Sequence, residues 1–164
     1  MADSNGENMQ QAIQKATIIT VNNKGSGAIR MGRFKSWMGN SKDTQVLPLI
    51  PSKTSDKFTV LNGEHGAIAG FQYNGNTISG EECGLVVTWD APTVYNPPNV
   101  SNKVFTYGSS KELADKNTWE EILEKLAKAS STAPHASIVH QEPDTASLVV
   151  DVNMDNWFRS AGEA

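Results

Sequence analysis

The chain has little of what several large protein classes require. It has one cysteine, Cys83, among 164 residues, which excludes an intramolecular disulfide and a metal cluster built on cysteines. Its 14 basic residues are outnumbered by 18 acidic ones, and this balance argues against nucleic acid as a partner, because binding phosphates needs a basic face. No apolar run approaches the roughly 20 residues needed to span a bilayer.

The N-terminal residues also lack a targeting pattern. The stretch MADSNGENMQQ has neither a basic start nor an apolar core, so it does not predict a secretory signal peptide. We therefore expect a protein made in the cytosol, which would have to be released by another route to act at target-cell membranes. The sequence predicts a polar segment over 1–16, in which MQQAIQKA (9–16) allows a short helix, one domain over 17–157, and a polar tail over 158–164.

Short β-type segments separated by turn signals occupy most of the predicted domain. TIITVNN (17–23) and KFTVLNG (57–63) are β-branched or alternating, and GLVVTWD (84–90) is the most apolar segment. AIRMGRFKSWM (28–38) alternates imperfectly, as a strand with a bulge near Gly32 would. Pro48 interrupts the next apolar run, which predicts an edge strand or a crossing between sheets.

One segment has helical spacing instead. In NTWEEILEKLAKA, the residues Trp119, Ile122, Leu123 and Leu126 fall at i, i+3, i+4 and i+7, which predicts a helix over 117–129. The whole pattern predicts a mainly β protein: a β-sandwich of about eight to ten short antiparallel strands with one or two flanking α-helices.

No group of side chains has the spacing of a catalytic or metal site. His135 and His140 are five residues apart on a predicted strand, so they would point to opposite faces. A solvated turn explains Glu81 and Glu82 beside Asp90 better than a pair of catalytic carboxylates does. The sequence therefore predicts a protein that is not an enzyme, with no catalytic residue, no metal ligand and no cofactor.

The order of landmarks resembles the actinoporin-like β-sandwich superfamily, the cytolysins of sea anemones and their relatives. Parts of the chain are also similar to aegerolysins, small acidic sandwich proteins that usually lack the helix predicted here; VNNKGSG, GAIAGFQYNGN and WDAP carry that likeness. The stretches that carry the actinoporin resemblance are RFKSWMGNSKDTQVLP, GAIAGFQYNGNT, GLVVTWDAPTVYNPPNVSNKVFTY, KELADKNTWEEI and ASLVVDVNM.

The resemblance implies a lipid-headgroup site that can be carried over position by position. Trp37 and Tyr95 are candidates for contact with the membrane. The chain departs from the family after Tyr95, where NPPNVSN replaces clustered aromatics, and on the helix, where Leu123 and Glu124 stand in place of tyrosines. Each missing ring removes roughly 0.5–2 kcal/mol of cation–π attraction for a choline group. The matching headgroup positions are Ser36, Ile68, Thr88, Pro92, Tyr95 and Trp119.

Packing explains some of these aromatics better than ligand contact does. Trp89 ends an apolar strand and Trp119 lies on the apolar helix face, so both are predicted to pack in the interior, whereas Tyr95 among prolines is predicted to be exposed. The resemblance implies a cytolysin-like protein that binds membrane lipids and serves as a pore-forming, insecticidal or defence toxin. Such a protein would act as a homo-oligomer or with a second pore-forming protein. The alternative is a lectin on the same sandwich, whose loop aromatics stack on the sugar rings of a glycan.

Overall fold

The computed structural model describes residues 12–39, 48–97, 99–109 and 116–157, which form two five-stranded sheets, a two-stranded ribbon and a helix. The helix, α1, spans Lys116–Ala127. The strands are β1 (Ala12–Ile13), β2 (Ala16–Asn23), β3 (Ile29–Met38), β4 (Leu49–Ile50), β5 (Ser55–Leu61), β6 (Gly66–Asn76), β7 (Glu82–Pro92), β8 (Val94–Tyr95), β9 (Lys103–Ser109), β10 (Thr132–Ala133), β11 (Ala136–Gln141) and β12 (Thr145–Val152).

The first sheet has the strand order β10-β11-β12-β2-β5, and the second has the order β4-β3-β6-β7-β9. Pairing is antiparallel except between β12 and β2, which run parallel from Thr145 opposite Ala16 to Val152 opposite Asn23. Strand β2 buries every second residue, because one of its faces meets the second sheet and the other does not. The predicted β-sandwich with a flanking helix is confirmed.

The core lies between the two sheets and is centred on aromatic rings. The Phe71 ring lies 5.6 Å from that of Phe58 and 5.9 Å from that of Trp89, measured between centroids. Trp89 is completely buried, which confirms its predicted place in the core. Aliphatic side chains of β2, β11 and β12 complete the core from the first sheet.

Helix α1 covers part of the outer face of the second sheet. Trp119 and Ile122 pack on Val86, so β7 is buried on both faces from Cys83 to Trp89. Burial on both faces explains why this segment reads as a continuous apolar run rather than an alternating one.

Local predictions along β3 and α1 agree closely with the structure. The helix, predicted over 117–129, spans Lys116–Ala127. A register shift between Met31 and Arg33 puts a β-bulge at Gly32, where the sequence predicts one. The short strand β4, directly after Pro48, lies at the edge of the second sheet.

The short helix allowed over 9–16 does not form in the part of that range that the structure describes. Ala12–Ile13 is a strand that pairs with Val94–Tyr95, and β2 begins at Ala16. An eight-residue segment cannot sustain a helix alone, because nucleation costs more than so few hydrogen bonds return. The Gln14 N–H donates instead to the Thr93 carbonyl at 2.6 Å. Residues 9–11 and the tail over 158–164 lie outside the described residues.

Candidate functional site

The outer face of the second sheet carries three of the candidate residues, and a fourth, Trp119, lies on α1, which covers part of that face. Residues directly opposite each other in antiparallel strands point to the same face, so the strand register defines rows across this surface. Rows alternate between the core side and the outer side, and Ile68, Thr88 and Trp37 belong to the outer side. One outer-side row, near the end of the sheet where β3 ends, is formed by Met38, Ile68, Asp90 and Lys103. The next outer-side row is formed by Lys35, Gly70, Thr88 and Phe105.

Aromatic side chains gather where this surface meets the helix. Trp37 sits in a second β-bulge, between Ser36 and Met38, and its ring lies 6.1 Å from that of Trp119 at an interplanar angle of 51°. The Lys35 ammonium lies 5.8 Å from the Trp37 ring centroid. We call the surface formed by Trp37, Phe105, Tyr107 and Trp119 the aromatic face; the first three are partly exposed, and Trp119 is nearly buried.

Thr88 lies beneath the aromatic face and does not present its hydroxyl to solvent. The side chain is fully buried, and its Oγ1 donates to the Phe105 carbonyl at 3.1 Å. Thr88 therefore fixes β9 against β7 and supports Phe105 from below.

Asp90 adds a negative charge next to the aromatic face. It is half-buried, and burial raises the pKa of its carboxyl group, an effect that the nearby Lys103 ammonium opposes. Lys103 Nζ donates to the Ala127 carbonyl at the end of α1, 3.1 Å away. Within the described parts of the chain the Asp90 carboxylate forms neither a hydrogen bond nor an ion pair. A partly desolvated carboxylate that forms no ion pair favours a cationic ligand.

Pro92 and Tyr95 lie apart from the aromatic face, at the end of the sandwich where β1 pairs with β8. A buried amide, Gln14, organises this end: its Nε2 donates to the Pro92 carbonyl and to Asn102 Oδ1, both at 2.8 Å. Asn102 Nδ2 donates back to Gln14 Oε1 at 3.0 Å, and His140 Nδ1 lies 3.1 Å from the same oxygen. Because an amide oxygen only accepts, His140 carries its hydrogen on Nδ1. We call Gln14, Asn102 and His140 the Gln14 network.

The Tyr95 ring stacks on His140, with centroids 5.3 Å apart and an interplanar angle of 13°. It is half-buried rather than exposed as predicted, because the imidazole of the first sheet covers one face of the ring. Ser36 is exposed, and it pairs with Ala69, which faces the core, so it lies on the other side of β3 from the outer-face rows.

The structure thus divides the predicted site residues into two groups and adds residues that the sequence did not indicate. Ile68, Trp37 and Trp119 stay together on the outer face, whereas Pro92 and Tyr95 belong to the sandwich end. Phe105, Tyr107 and Asp90 join the outer-face group, and the period-2 alternation of NKVFTYG could have indicated the first two. Nothing in the sequence pattern indicated Gln14 as a buried residue.

Two kinds of feature are absent from the residues that the structure describes. Over 12–39, 48–97, 99–109 and 116–157, no His, Cys, Asp or Glu side chains form a group of three that could hold a metal ion. Within the same ranges no helix is long and apolar enough to cross a membrane.

Comparison with known proteins finds a sequence relative and similar solved structures, while no protein-family model matches the chain. The chain is 26% identical over 168 residues to a jasmonate-induced protein homolog from Atriplex canescens, covering 99% of this chain and 85% of that protein. The crystal structure of the lipid binding protein Nakanori superimposes with a TM-score of 0.66 at 14% identity, covering 92% of this chain and 75% of that one. At this identity the likeness shows a shared fold.

Proposed function

We propose that this protein binds the headgroups of membrane lipids through the aromatic face, without catalysing a reaction. The observation that carries the proposal is the Trp37–Trp119 pair on the same outer face as Asp90, a half-buried carboxylate that forms no ion pair within the described chain. Aromatic rings and a carboxylate together attract an ammonium group, by cation–π contact and by charge. The fold shared with a protein described as lipid binding supports the same class of ligand.

Exposed aliphatic side chains at the same end of the sandwich support contact with a membrane. Met38 ends β3 beside the half-buried Ile68, and Ile13 and Val94 pair on the β1–β8 ribbon. Met38, Ile13 and Val94 are each at least 40% exposed. Val100, which bridges to Asn96 in the loop before β9, is exposed as well. Clustered exposed apolar residues mark interaction surfaces. These aliphatic residues would enter the membrane interface, where the actinoporin family uses clustered aromatic residues.

The proposal extends to a cytolysin-like role in which a second protein makes the pore. Residues 12–23 are held in β1 and β2, so an N-terminal helix that included them would first have to break the pairing with β8, β5 and β12. A released protein that recognises target-cell membranes and recruits a pore-forming partner fits this arrangement better than autonomous pore formation.

Vesicle binding tests the proposal directly. Sedimentation with vesicles of phosphatidylcholine, sphingomyelin, phosphatidylethanolamine or phosphatidylglycerol should show binding to the ammonium-bearing lipids and not to phosphatidylglycerol. We expect Trp37→Ala and Asp90→Asn each to weaken binding about tenfold, because one cation–π contact or charge pair contributes roughly 1.4 kcal/mol. Trp37→Phe, which keeps a ring, should lie in between. Dye-loaded vesicles should not leak with this protein alone.

A matched control uses the outer face of the first sheet. Val139→Ala replaces an exposed apolar residue away from the aromatic face and should bind as the wild type does. Equal binding by the wild type, Trp37→Ala and Asp90→Asn would remove the aromatic face as the site. An absence of binding to every vesicle would remove lipid binding itself.

A further inference from the structure

A polar cavity lies on the second sheet at the end opposite the Asp90 row. Its volume is about 310 Å³, and it is lined by Ala28, Arg30, Asn74, Gly75, Asn76, Glu82 and Cys83. Strand β7 connects the two regions, from Glu82 at the cavity to Asp90 beside the aromatic face. Eight residues of strand separate them by about 26 Å, so a ligand in the cavity would not touch the aromatic face.

The walls of the cavity offer hydrogen-bonding groups that the fold does not use. Within the described chain, the exposed side chains of Arg30 and Glu82 form no hydrogen bond or ion pair. Asn76 Nδ2 donates to the Gly80 carbonyl at 3.3 Å, which leaves its Oδ1 available to accept. Asn74 Oδ1 is shielded from solvent and accepts no hydrogen bond. A buried acceptor without a donor is unfavourable, and a turn of the Asn74 amide toward the cavity would let a ligand hydroxyl or amino group satisfy it.

Glycine at position 84 creates the space that the Asn74 amide occupies. Gly84 lies opposite Asn74 in the β6–β7 pair, and a Cβ atom at Gly84 would lie 2.5 Å from Asn74 Oδ1 and 2.6 Å from Gln72 Nε2. Any larger residue would therefore push the amide out of its present position. The row of Arg30, Asn74, Gly84 and Ser109 therefore has no side chain at its third position.

The chemistry of the lining selects a class of ligand. Arg30 donates, Glu82 and Asn76 Oδ1 accept, and the Asn74 amide can do both, so the cavity needs a partner with several groups that both donate and accept. The charges of Arg30 and Glu82 cancel, which disfavours a phosphate or a simple cation. The apolar lining is limited to Ala28, Gly75 and Cys83, too little for a lipid tail. The volume lies at the small end of the range for ligand cavities.

We propose that this cavity binds a neutral monosaccharide unit through its vicinal hydroxyl groups. The proposal does not rest on lipid binding at the aromatic face, and it places the sugar far from Tyr95 and the loop aromatics. Arg30 and Glu82 hold opposite sides of the sugar ring, and the Asn74 carbonyl accepts a hydroxyl hydrogen once its amide has turned toward the cavity.

Ligand-observed saturation-transfer NMR tests the site. The full chain is mixed with methyl glycosides of the gluco, galacto, manno and N-acetylglucosamine configurations, up to tens of millimolar, with glycine as a zwitterionic probe. We expect saturation transfer to at least one glycoside and none to glycine, with backbone amide shifts centred on Arg30, Asn74 and Glu82. Glu82→Gln and Arg30→Ala, which change exposed residues and do not threaten the fold, should weaken binding at least tenfold. Gly84→Ala should do the same by displacing Asn74.

The outcomes separate this proposal from its rivals and from the aromatic face. Trp37→Ala, which tests lipid binding, should leave glycoside binding unchanged. The proposal is overturned if no glycoside binds, if glycine binds instead, or if Glu82→Gln and Arg30→Ala bind glycosides as the wild type does. Loss of vesicle binding with glycoside binding retained would contradict the lipid proposal and leave this one standing.

Discussion

Replacing Gln14 by Ala should destabilise the protein far more than a surface polar residue would. Gln14 is completely buried, and its side chain takes part in the hydrogen bonds with Pro92, Asn102 and His140 described above. Asn102 is also buried, so the substitution would leave its amide without either of its Gln14 bonds. Each lost bond costs about 1 kcal/mol net, and an unpaired buried amide costs about 1–3 kcal/mol more. With four bonds lost, we expect a total loss of about 5–7 kcal/mol.

Urea unfolding at neutral pH, followed by tryptophan fluorescence, measures this loss. Asn22→Ala is the matched control, because Asn22 Nδ2 donates to Asp151 Oδ1 at 2.8 Å in an exposed position, where water can replace the bond. We expect the control to lose less than about 1 kcal/mol. Since domains have only about 5–15 kcal/mol in all, Gln14→Ala should leave a marginally stable protein.

A double-mutant cycle makes the prediction sharper. Asn102→Ala alone should also be costly, because it leaves Gln14 with fewer partners, but the double variant should cost less than the sum of the two. A coupling of about 1–3 kcal/mol is typical of residues in one buried network. A loss for Gln14→Ala no larger than that for Asn22→Ala, or zero coupling with Asn102, would refute the reasoning.

The remaining predictions concern single groups. Burial raises the pKa of Asp90, so its ionisation opposes folding and the stability of the protein falls as pH rises through that pKa. The melting temperature of Asp90→Asn should therefore be higher than that of the wild type at neutral pH and equal to it in acid. A lower melting temperature at neutral pH would contradict this. Burial, with a smaller effect of Glu81, raises the pKa of Cys83 to about 11. The Cys83 thiol of the native protein should therefore resist Ellman's reagent at neutral pH and react fully in urea. Rapid reaction of the native protein would be inconsistent with that burial. Gly66 has φ of +122°, and a Cβ atom there would lie 2.7 Å from Pro92 Cα. Gly66→Ala should therefore lower the free energy of unfolding in urea by at least about 2 kcal/mol, whereas Gly27→Ala, where the added Cβ meets open space, should change it little. Equal losses for the two variants would argue against strain at Gly66.

The two expectations for Asp90 point in opposite directions, and together they are diagnostic. Asp90→Asn should weaken vesicle binding and at the same time stabilise the fold. A residue kept at a cost in stability is typical of a functional site. A substitution that lowered both properties would instead indicate a structural role for Asp90.

Features set by local spacing could be predicted from the sequence. The helix of Trp119 and Ile122 follows from the 3.6-residue period, and the bulge at Gly32 follows from a break in alternation. The burial of Trp89 follows from the apolar run that precedes it. Each of these depends on neighbours within about ten residues, for which the periods of helix and strand are sufficient evidence.

Features that join distant segments could not be predicted in the same way. Trp37 and Trp119 meet only because a bulge in β3 turns one ring toward a helix that follows β9. Gln14 lies in a segment with helix-forming residues, and its burial depends on partners near positions 92, 102 and 140. Periodicity contains no information about such partners. The Tyr95 stack on His140 was missed for the same reason, since the imidazole belongs to the other sheet.

The parallel pairing of β12 with β2 has a consequence for biosynthesis. Strand β2 is among the earliest strands to leave the ribosome, yet one of its two neighbours in the first sheet is formed by Thr145–Val152. Until those residues are made, β2 has β5 on one side and an open edge of unpaired amides on the other. Closure of this long-range contact is therefore expected to limit the folding rate. Cells that make this protein must keep that edge from pairing with other nascent chains until β12 is available.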